Sequence, residues 1–375
     1  MRTEIITDTV GFVRLADAWR ALETSEHLHG PFTGFSWQLE WWRALGGGRQ
    51  LRIVVAREGD DVVGICPLFE EQTGGIRRLA FIGSAGGGGD YLDVLTADPR
   101  VRARLLHEAA ELEADLLDLE DVESTSALIS DALAQANDSD RHAVAASRFP
   151  CPFIPIRATY ADYLTTVARR ENLRRREKWF AAQPGFRIEC ETSPESVAPF
   201  LARFHRLHAA RWSSDGGSQA FADARLSAFH RQIMARYADE GCLRLWTLWV
   251  AGEATAVAYT FDQGTRSMYY QSGFLPAWGA KSAGLVLFAR YVEDAFTRGC
   301  SEVDLLRGSE PYKAEWTREA RATINVRWAL SARGRAWLAW RAARNSSREL
   351  VKRAIPEQAR VHVARLVREA RMTGT

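Results

Sequence analysis

Side chains that could bind a substrate or exchange a proton are concentrated in one short segment, RGSEPYKAEW, at residues 307–316. The segment follows an apolar run at residues 302–306 that predicts a β-strand, and loops at strand ends are where binding groups collect. Glu310 could accept a proton, and Arg307 or Lys313 could hold an anion; a solvated charged loop is the alternative interpretation. The candidate residues of this segment are Arg307, Glu310, Tyr312, Lys313 and Trp316.

Two further titratable side chains interrupt apolar patterns. Asp304 lies inside the predicted strand, where a carboxylate needs a partner or a task, and both a structural ion pair and catalysis are consistent with that position. His208 and Arg211 continue the apolar face of a helix predicted at residues 197–212. His208 can accept a proton near neutral pH, so the pair could point into a cleft; a hydrogen-bonded helix end is the alternative.

One loop of the second half of the chain could bind an anion. Residues 272–284, SGFLPAWGAKSAG, run into a helix predicted to begin at residue 283. The first turn of a helix offers free amide donors and a positive dipole end, which suit a pyrophosphate. The expected contact residues are Lys281, Ser282 and Gly284, and a plain helix cap at Ser282 is the alternative.

A glycine run in the first half precedes two carboxylates. Gly86 to Gly89 lead directly into Asp90-Tyr91-Leu92-Asp93. Glycines allow the backbone to approach a ligand closely, and the carboxylates could hold an amine or sugar hydroxyls. A flexible surface turn explains the same residues.

The elements that must position these residues occur in the same order in both halves. Each half predicts two strands joined by a tight turn, a third strand, a glycine-containing loop, a helix and a further strand. This order combines antiparallel hairpins with a helical crossover and predicts an α+β fold with a mixed sheet in each half. The predicted segments are 51–68, 79–82, 99–114 and 116–119 in the first half, and 243–260, 268–271, 283–298 and 302–306 in the second.

The predicted domain organisation is a first domain at residues 1–150, a second at 151–332 that carries the site, and a basic helical tail at 333–375. Residues 124–157 are interpreted as the linker between the halves. The tail contains eleven Arg or Lys and three acidic residues, so its net charge is +8 while the whole chain carries +2. Such a helix suits an anionic membrane surface, and packing on the second domain is the alternative.

Composition favours a cytoplasmic protein, with peripheral contact to the inner face of a membrane through the tail. The five cysteines are far apart and lack the paired spacing of metal or redox sites, and no metal is expected. The first residues lack the features of a signal peptide, and no apolar run is long enough to cross a bilayer.

Several segments together resemble the CelD/BioF2-like acetyltransferases of the GNAT superfamily, which are related to the Fem-type aminoacyltransferases. The resemblance covers residues 5–330. It is carried by Phe35-Ser36-Trp37 with Trp41-Trp42, VGICPL at 63–68, Asp90-Tyr91-Leu92-Asp93, Leu207-His208 with Arg211-Trp212, YYQSGF at 269–274, Ser282 with Gly284, and Leu305-Leu306-Arg307-Gly308 with Glu310, Tyr312-Lys313 and Trp316.

The resemblance implies two GNAT-like domains in tandem and transfer of an acyl group, with acetyl-CoA as co-substrate, to an amine or hydroxyl. The acceptor would be a sugar, a polysaccharide precursor, a lipid-linked precursor or another small molecule. It would attack the thioester directly, with a protein base and backbone amides that stabilise the oxyanion. The implied catalytic residues are His208, Glu310 and Asp304; the donor contacts are Gln271, Ser272, Lys281, Ser282 and Gly284; the acceptor contacts are Asp90, Tyr91, Asp93, Arg211, Arg307, Tyr312, Lys313 and Trp316. Relatives often carry an acidic residue and a proline where this chain reads Leu275-Pro276-Ala277 and Ala283.

Two other functions are consistent with the sequence. A Fem-type enzyme would take an amino acid from charged tRNA, and a basic run at residues 169–178 together with the tail could bind that RNA. A non-catalytic GNAT-like module in polysaccharide assembly is the third hypothesis.

Overall fold

The computed structural model describes residues 1–24, 30–84, 86–213 and 223–354. The first half contains β1 (Arg2–Ile6), α1 (Thr9–Arg14), α2 (Ala16–Glu23), α3 (Phe35–Leu45), β2 (Gln50–Leu51), β3 (Ile53–Glu58), β4 (Asp61–Cys66), β5 (Leu68–Thr73), β6 (Ile76–Phe81), α4 (Pro99–Ala110), β7 (Leu116–Glu123), α5 (Ala127–Asp138) and β8 (Ala143–Pro155). The second half contains α6 (Tyr160–Leu164), α7 (Arg170–Ala181), β9 (Arg187–Glu191), α8 (Val197–Ser213), α9 (Ala224–Asp239), β10 (Leu243–Val250), β11 (Glu253–Gln263), β12 (Arg266–Phe274), α10 (Ala283–Thr297), β13 (Glu302–Asp304), β14 (Ala320–Ala329) and α11 (Ala332–Ala354).

Both predicted hairpins are confirmed, and their turns explain why they form. The β3–β4 turn includes Gly59 at a φ of 61°, and the β10–β11 turn is formed by Ala251 and Gly252 at φ values of 49° and 80°. Two-residue turns with positive φ match the twist of paired strands. After the first hairpin, the sequence predicted one further strand in the first half. The structure has two strands there, β5 and β6, and they form a second hairpin.

The strands form a three-stranded sheet, β1-β3-β4, and an eleven-stranded sheet in the order β2-β5-β6-β7-β14-β8-β13-β12-β11-β10-β9. The large sheet crosses from one half to the other, because β14 from the end of the second half lies between β7 and β8 of the first. The linker interpretation of residues 124–157 is therefore wrong: this segment contains α5 and the 13-residue strand β8. The predicted domain limits stay a prediction.

The hydrophobic core is divided between the two halves of the sheet. The larger cluster packs α3, α8 and α9 against the sheet and includes the fully buried rings of Trp37 and Trp41. A second cluster lies between α10 and the β10–β13 strands. The predicted α+β class, with mixed pairing in each half and a helical extension, is confirmed.

The C-terminal extension is helical through residue 354, as predicted. The tail also contains Pro356, where the sequence predicts that the helix is interrupted, and this position lies outside the described residues. Among the residues that the structure describes, no helix is both long enough and apolar enough to cross a bilayer.

Candidate functional site

The candidate site lies where two parallel strands of the second half separate. β12 pairs with β13 only from Arg266 to Met268, opposite Glu302 to Asp304. β12 then continues to Phe274, whereas β13 ends, and α10 connects the two strands. The carboxyl ends of separating parallel strands form a crevice in which ligands bind. Two adjoining cavities open at this place.

The smaller cavity has a volume of about 110 Å³, and its walls are polar and apolar in similar measure. It combines the end of β12, the loop after β13 and one loop from the first half. Its walls are Gly88, Asp90, Tyr269, Tyr270, Gln271, Ser272, Leu305, Leu306, Arg307, Glu310, Tyr312 and Lys313. Seven residues that were named from the sequence for donor, acceptor or catalysis line this cavity: Asp90, Gln271, Ser272, Arg307, Glu310, Tyr312 and Lys313. Two more, Ser282 and Gly284, line the adjoining cavity.

The larger cavity has a volume of about 310 Å³ and mostly apolar walls. It shares Tyr269, Ser272 and Tyr312 with the smaller cavity, so the two are contiguous. The remaining walls are Phe274, Gly279, Ser282, Ala283, Gly284, Leu285 and Phe288. A long, largely apolar arm that ends in a polar group fits this pair of spaces.

A β-bulge in β12 positions the residues shared by the cavities. Opposite β11, Tyr259 pairs with Gln271 and Thr260 pairs with Tyr269, so Tyr270 is the extra residue. A bulge re-aims side chains and is common beside active sites. The Tyr270 hydroxyl donates a hydrogen bond to the carbonyl oxygen of Gly87 at 3.0 Å, which fixes the glycine loop of the first half over the cavity.

The two halves are joined at the smaller cavity by an ion pair between buried carboxylates and the partly buried Arg307. The Arg307 guanidinium donates to Asp90 Oδ1 at 2.5 Å and to the carbonyl oxygen of Gly89, and it lies 3.4 Å from Asp121 Oδ2. Burial raises the pKa of Asp90, and the adjacent Arg307 opposes that effect. The charge of Arg307 is therefore satisfied within the protein and serves to assemble the cavity.

Lys313 is also committed to the protein. Its Nζ donates to the carbonyl oxygen of Arg307 at 2.9 Å and lies 2.9 Å from Glu310 Oε2. The Lys313 side chain is buried, whereas that of Glu310 is 41% exposed. Glu310 is thus the wall carboxylate that a group entering from solvent can reach.

The first turn of α10 borders the larger cavity. Ser282, the N-cap residue, has a φ of 63° and makes no side-chain cap hydrogen bond. Its carbonyl oxygen accepts from Leu285 and Val286, and no described residue accepts from the amides of Ala283 and Gly284. These amides can therefore hold an anion. Lys281 does not line either cavity; its Nζ lies 4.8 Å from the ring centroid of Trp179.

Asp304 and Tyr91 form a buried network beside the site instead of lining it. Asp304 accepts from the Tyr91 hydroxyl at 3.0 Å, from Arg321 at 2.8 Å and from the amide of Leu306 at 2.7 Å. Burial raises the pKa of Asp304 to about 6, against the effect of Arg321. These contacts favour a structural role for Asp304. A catalytic role stays a prediction.

The other predicted residues lie apart from the cavities. Asp93 accepts from the Ser126 hydroxyl at 2.5 Å, and Trp316 is buried against Phe288 with ring centroids 4.8 Å apart. His208 is buried on α8, where its ring stacks on Phe204 at 5.2 Å. The Arg211 side chain lies outside the described residues. Roles for these residues in binding or proton transfer stay predictions.

Several wall residues were not assigned a role from the sequence. They include Tyr269, Phe274 and Phe288. The adjacent tyrosines in YYQSGF were a visible signal, but alternation along a regular strand predicts that only one of them faces the site. The bulge at Tyr270 changes that alternation, and a bulge depends on pairing with β11.

Comparison with known proteins identifies the part of the chain that contains the cavities. Residues 168–314 match the family described as the acetyltransferase (GNAT) domain. The matched segment, which is similar to GNAT acetyltransferase domains, includes β12, α10, β13 and Glu310. No curated protein matches the sequence.

Solved structures extend the likeness over both halves. The crystal structure of FemX is similar with a TM-score of 0.59 and 12% identity over 87% of this chain and 97% of that one. The C-terminal domain of a provisionally assigned lysylphosphatidylglycerol synthetase from Agrobacterium fabrum is similar with a TM-score of 0.56 and 11% identity over 90% and 97%. A protein of unknown function from Bacteroides thetaiotaomicron has a TM-score of 0.55 and 11% identity over 87% and 100%. Identities this low establish a shared fold and leave the reaction to the site.

Proposed function

We propose that the protein transfers an acyl group, in the first instance acetyl, from acyl-CoA to an amine or hydroxyl of a small acceptor. The observation that carries the proposal is the pair of contiguous cavities between β12 and β13, bordered by the open first turn of α10. The GNAT match covers the same strands and helix. Coenzyme A has a long arm of alkyl and amide groups between its thiol, which carries the acyl group, and its pyrophosphate, and this order corresponds to the arrangement of the cavities and the helix start.

In the proposed complex, the amides of Ala283 and Gly284 receive the pyrophosphate and the larger cavity receives the arm. The thioester then lies at the boundary between the cavities, near Ser272. The pairing of β12 with β13 ends at Met268, and the edge of β12 that follows borders the two cavities. Amides on this edge are donors for the oxyanion that forms when the thioester carbonyl is attacked.

The acceptor occupies the smaller cavity, and Glu310 accepts its proton. The acceptor nitrogen or oxygen forms a bond to the carbonyl carbon, the carbon–sulfur bond breaks, and the CoA thiolate leaves and takes up a proton. Glu310 is favoured over His208 as base because Glu310 lines the cavity and is partly exposed. The acceptor class, within CelD/BioF2-like chemistry, is a sugar, a polysaccharide precursor or a lipid-linked precursor.

A second candidate donor is a charged tRNA, as in Fem-type transfer. It is favoured by the fold similarity to FemX and by the exposed arginines of α7, among them Arg174 with a 64% exposed side chain. A charged tRNA would require phosphate contacts whose strength falls steeply with salt.

Isothermal titration of the purified protein with acetyl-CoA and, in parallel, with desulfo-CoA tests the proposal. Micromolar binding of both ligands is expected, because the pyrophosphate and the arm supply the contacts. If neither acetyl-CoA nor desulfo-CoA binds, the acyl-CoA proposal is overturned. Salt-sensitive binding of charged tRNA would then favour the second candidate.

A pair of matched variants locates the donor. A Cβ on Gly284 would lie 3.3 Å from Phe274 Cδ1, so Gly284→Leu fills the larger cavity and should lower donor affinity at least about tenfold. Arg100→Leu is the control, since Arg100 occupies the same second position of α4 in the first half. Equal affinities for the two variants would place the donor elsewhere.

A further inference from the structure

The C-terminal helix α11 is fixed to the first-half sheet through its first two turns. The Ser331 hydroxyl donates to Asp115 Oδ1 at 2.6 Å. Gly334 lies directly against the Asp115 carbonyl, where a Cβ would be 1.9 Å from the oxygen. Leu338 is buried in a small cluster with Ile76, Leu116 and Ala329. These contacts set which face of the helix is exposed.

That exposed face combines tryptophan with arginine. Trp340 is 54% exposed, although it is a large apolar side chain. The Arg344 guanidinium lies 5.2 Å from the Trp340 ring centroid, and that of Arg341 lies 5.1 Å from Trp337. Spacings of three and four residues place these side chains together on one side of the helix. Trp337, Trp340, Arg341 and Arg344 are called the aromatic–basic face below.

The net positive charge of the chain is concentrated in its C-terminal region. Residues 333–375 carry a net charge of +8, and the remaining 332 residues therefore carry −6. No acidic residue occurs between Ala332 and Arg348. An anionic surface would thus attract the tail and repel most of the molecule, which orients the protein on that surface.

We propose that the aromatic–basic face docks on an anionic phospholipid surface. Tryptophan rings are stable at the headgroup level, where one part of the ring is in an apolar environment and the N–H is hydrated. The arginines beside them pair with lipid phosphates, and each basic residue near such a surface adds to binding. The proposal does not depend on the acyl donor or acceptor.

The sequence beyond the face favours lipid over RNA as the partner. Apolar residues recur among the arginines of the tail, which suits the boundary between headgroups and acyl chains better than base stacking. These residues are Leu350, Val351, Ile355, Val361, Val363, Leu366 and Val367.

Co-sedimentation of the full chain with phosphatidylcholine vesicles, with and without phosphatidylglycerol, tests the proposal. Binding is expected only with phosphatidylglycerol, and it should weaken as salt is added. The double variant Trp340→Ser with Arg344→Glu removes the exposed ring and reverses one charge, and it should lower vesicle affinity at least about tenfold.

The matched control is Val10→Ser with Arg14→Glu on α1, which also removes an exposed apolar side chain and reverses an arginine four residues later. The control should bind vesicles like the unaltered protein, and both variants should keep the melting temperature and the acetyl-CoA affinity. The proposal is overturned if the α11 variant sediments like the unaltered protein, if the control loses as much affinity, or if the α11 changes weaken tRNA binding in a protein that ignores vesicles.

Discussion

The two halves of the molecule contain the same strand–helix–strand unit but use it differently. In the first half, β6 and β7 are parallel and α4 connects them, as α10 connects β12 and β13 in the second. The first-half crevice is filled by its own chain: the amide of Leu92 donates to the Asp121 carbonyl at 3.0 Å, and Leu92 is buried. The second-half crevice contains the two cavities.

The N-termini of α4 and α10 also differ between the halves: that of α4 is closed by its own chain, and that of α10 is open. α4 begins with the carboxylate of Asp98, which accepts from the Arg100 amide at 2.7 Å, and with Pro99, which has no N–H. α10 begins at Ser282 without a side-chain cap. A capped, negatively charged helix start repels a phosphate, whereas an open one attracts it. The first half thus has the strand–helix–strand unit without an open crevice. It supplies Asp90 and the glycine loop to the site in the second half.

The largest expected effect comes from breaking the ion pair between the halves. Arg307→Met leaves Asp90 and Asp121 buried without this cation and should destabilise the protein by about 3 kcal/mol. Urea unfolding measures the change. Arg100→Met, which removes the exposed Arg100–Asp98 pair of the first half, should destabilise the protein much less, because solvent screens that pair. Similar costs for the two variants would contradict the view that the cavity is assembled across a buried pair.

Removing the proposed base should separate chemistry from donor binding. Glu310→Gln keeps the size of the side chain but cannot accept the proton, so kcat/KM for acetyl transfer should fall at least about tenfold while acetyl-CoA affinity is unchanged. Glu315→Gln is the control, because Glu315 pairs with Arg169 outside both cavities. Losses below about tenfold in both Glu310→Ala and His208→Ala would remove both residues from the role of base.

The contact between Tyr91 and Asp304 should give a smaller, pH-dependent effect. Burial raises the pKa of Asp304 to about 6, so protonation of Asp304 stabilises the fold below its ordinary pKa of 3.8, and this contribution is lost as the pH rises through 6. Above pH 6 the hydrogen bond from the Tyr91 hydroxyl contributes more to folding stability, because a donor stabilises the charged form of the Asp304 carboxylate. Tyr91→Phe should therefore cost about 1 kcal/mol at pH 8 and less at pH 5.

Tyr163→Phe provides the pH control, since the Tyr163 hydroxyl donates at 2.6 Å to a neutral acceptor, the carbonyl oxygen of Trp316. Urea unfolding at the two pH values measures both variants. A cost of Tyr91→Phe that does not change with pH would show that the ionisation of Asp304 does not change between the two pH values.

The smallest expected effect is a change in acetyl-CoA affinity when the N-terminus of α10 is given the cap of α4. Ser282→Asp gives α10 the carboxylate of α4, and aspartate tolerates the positive φ at this position. Repulsion of the pyrophosphate should weaken acetyl-CoA binding about threefold at low salt and less at high salt. Asp98→Ser on α4 should leave donor affinity unchanged. A stronger or equal affinity for Ser282→Asp would contradict an anion site at α10.

The sequence indicated which residues lie together best within one short segment, and the roles of those residues in binding or catalysis stay predictions. Arg307, Glu310, Tyr312 and Lys313 were expected to share a site because they follow one strand, and all four line one cavity. Asp93 and Asp90 were expected to act together, but Asp93 accepts from Ser126 whereas Asp90 binds Arg307. The sequence spacing of the two carboxylates says nothing about these partners, because each partner comes from a distant segment.

The sequence by itself determined the elements whose hydrogen bonds are local or nearly so. The β3–β4 and β10–β11 hairpins follow from turn residues that accept positive φ, and α10 follows from its apolar periodicity. Tertiary structure alone decided that β14 lies between β7 and β8, that Tyr270 is bulged, and that Asp90 completes a cavity in the other half. Strand neighbours and cross-chain ion pairs depend on which distant segments pack together, and no local pattern encodes that choice.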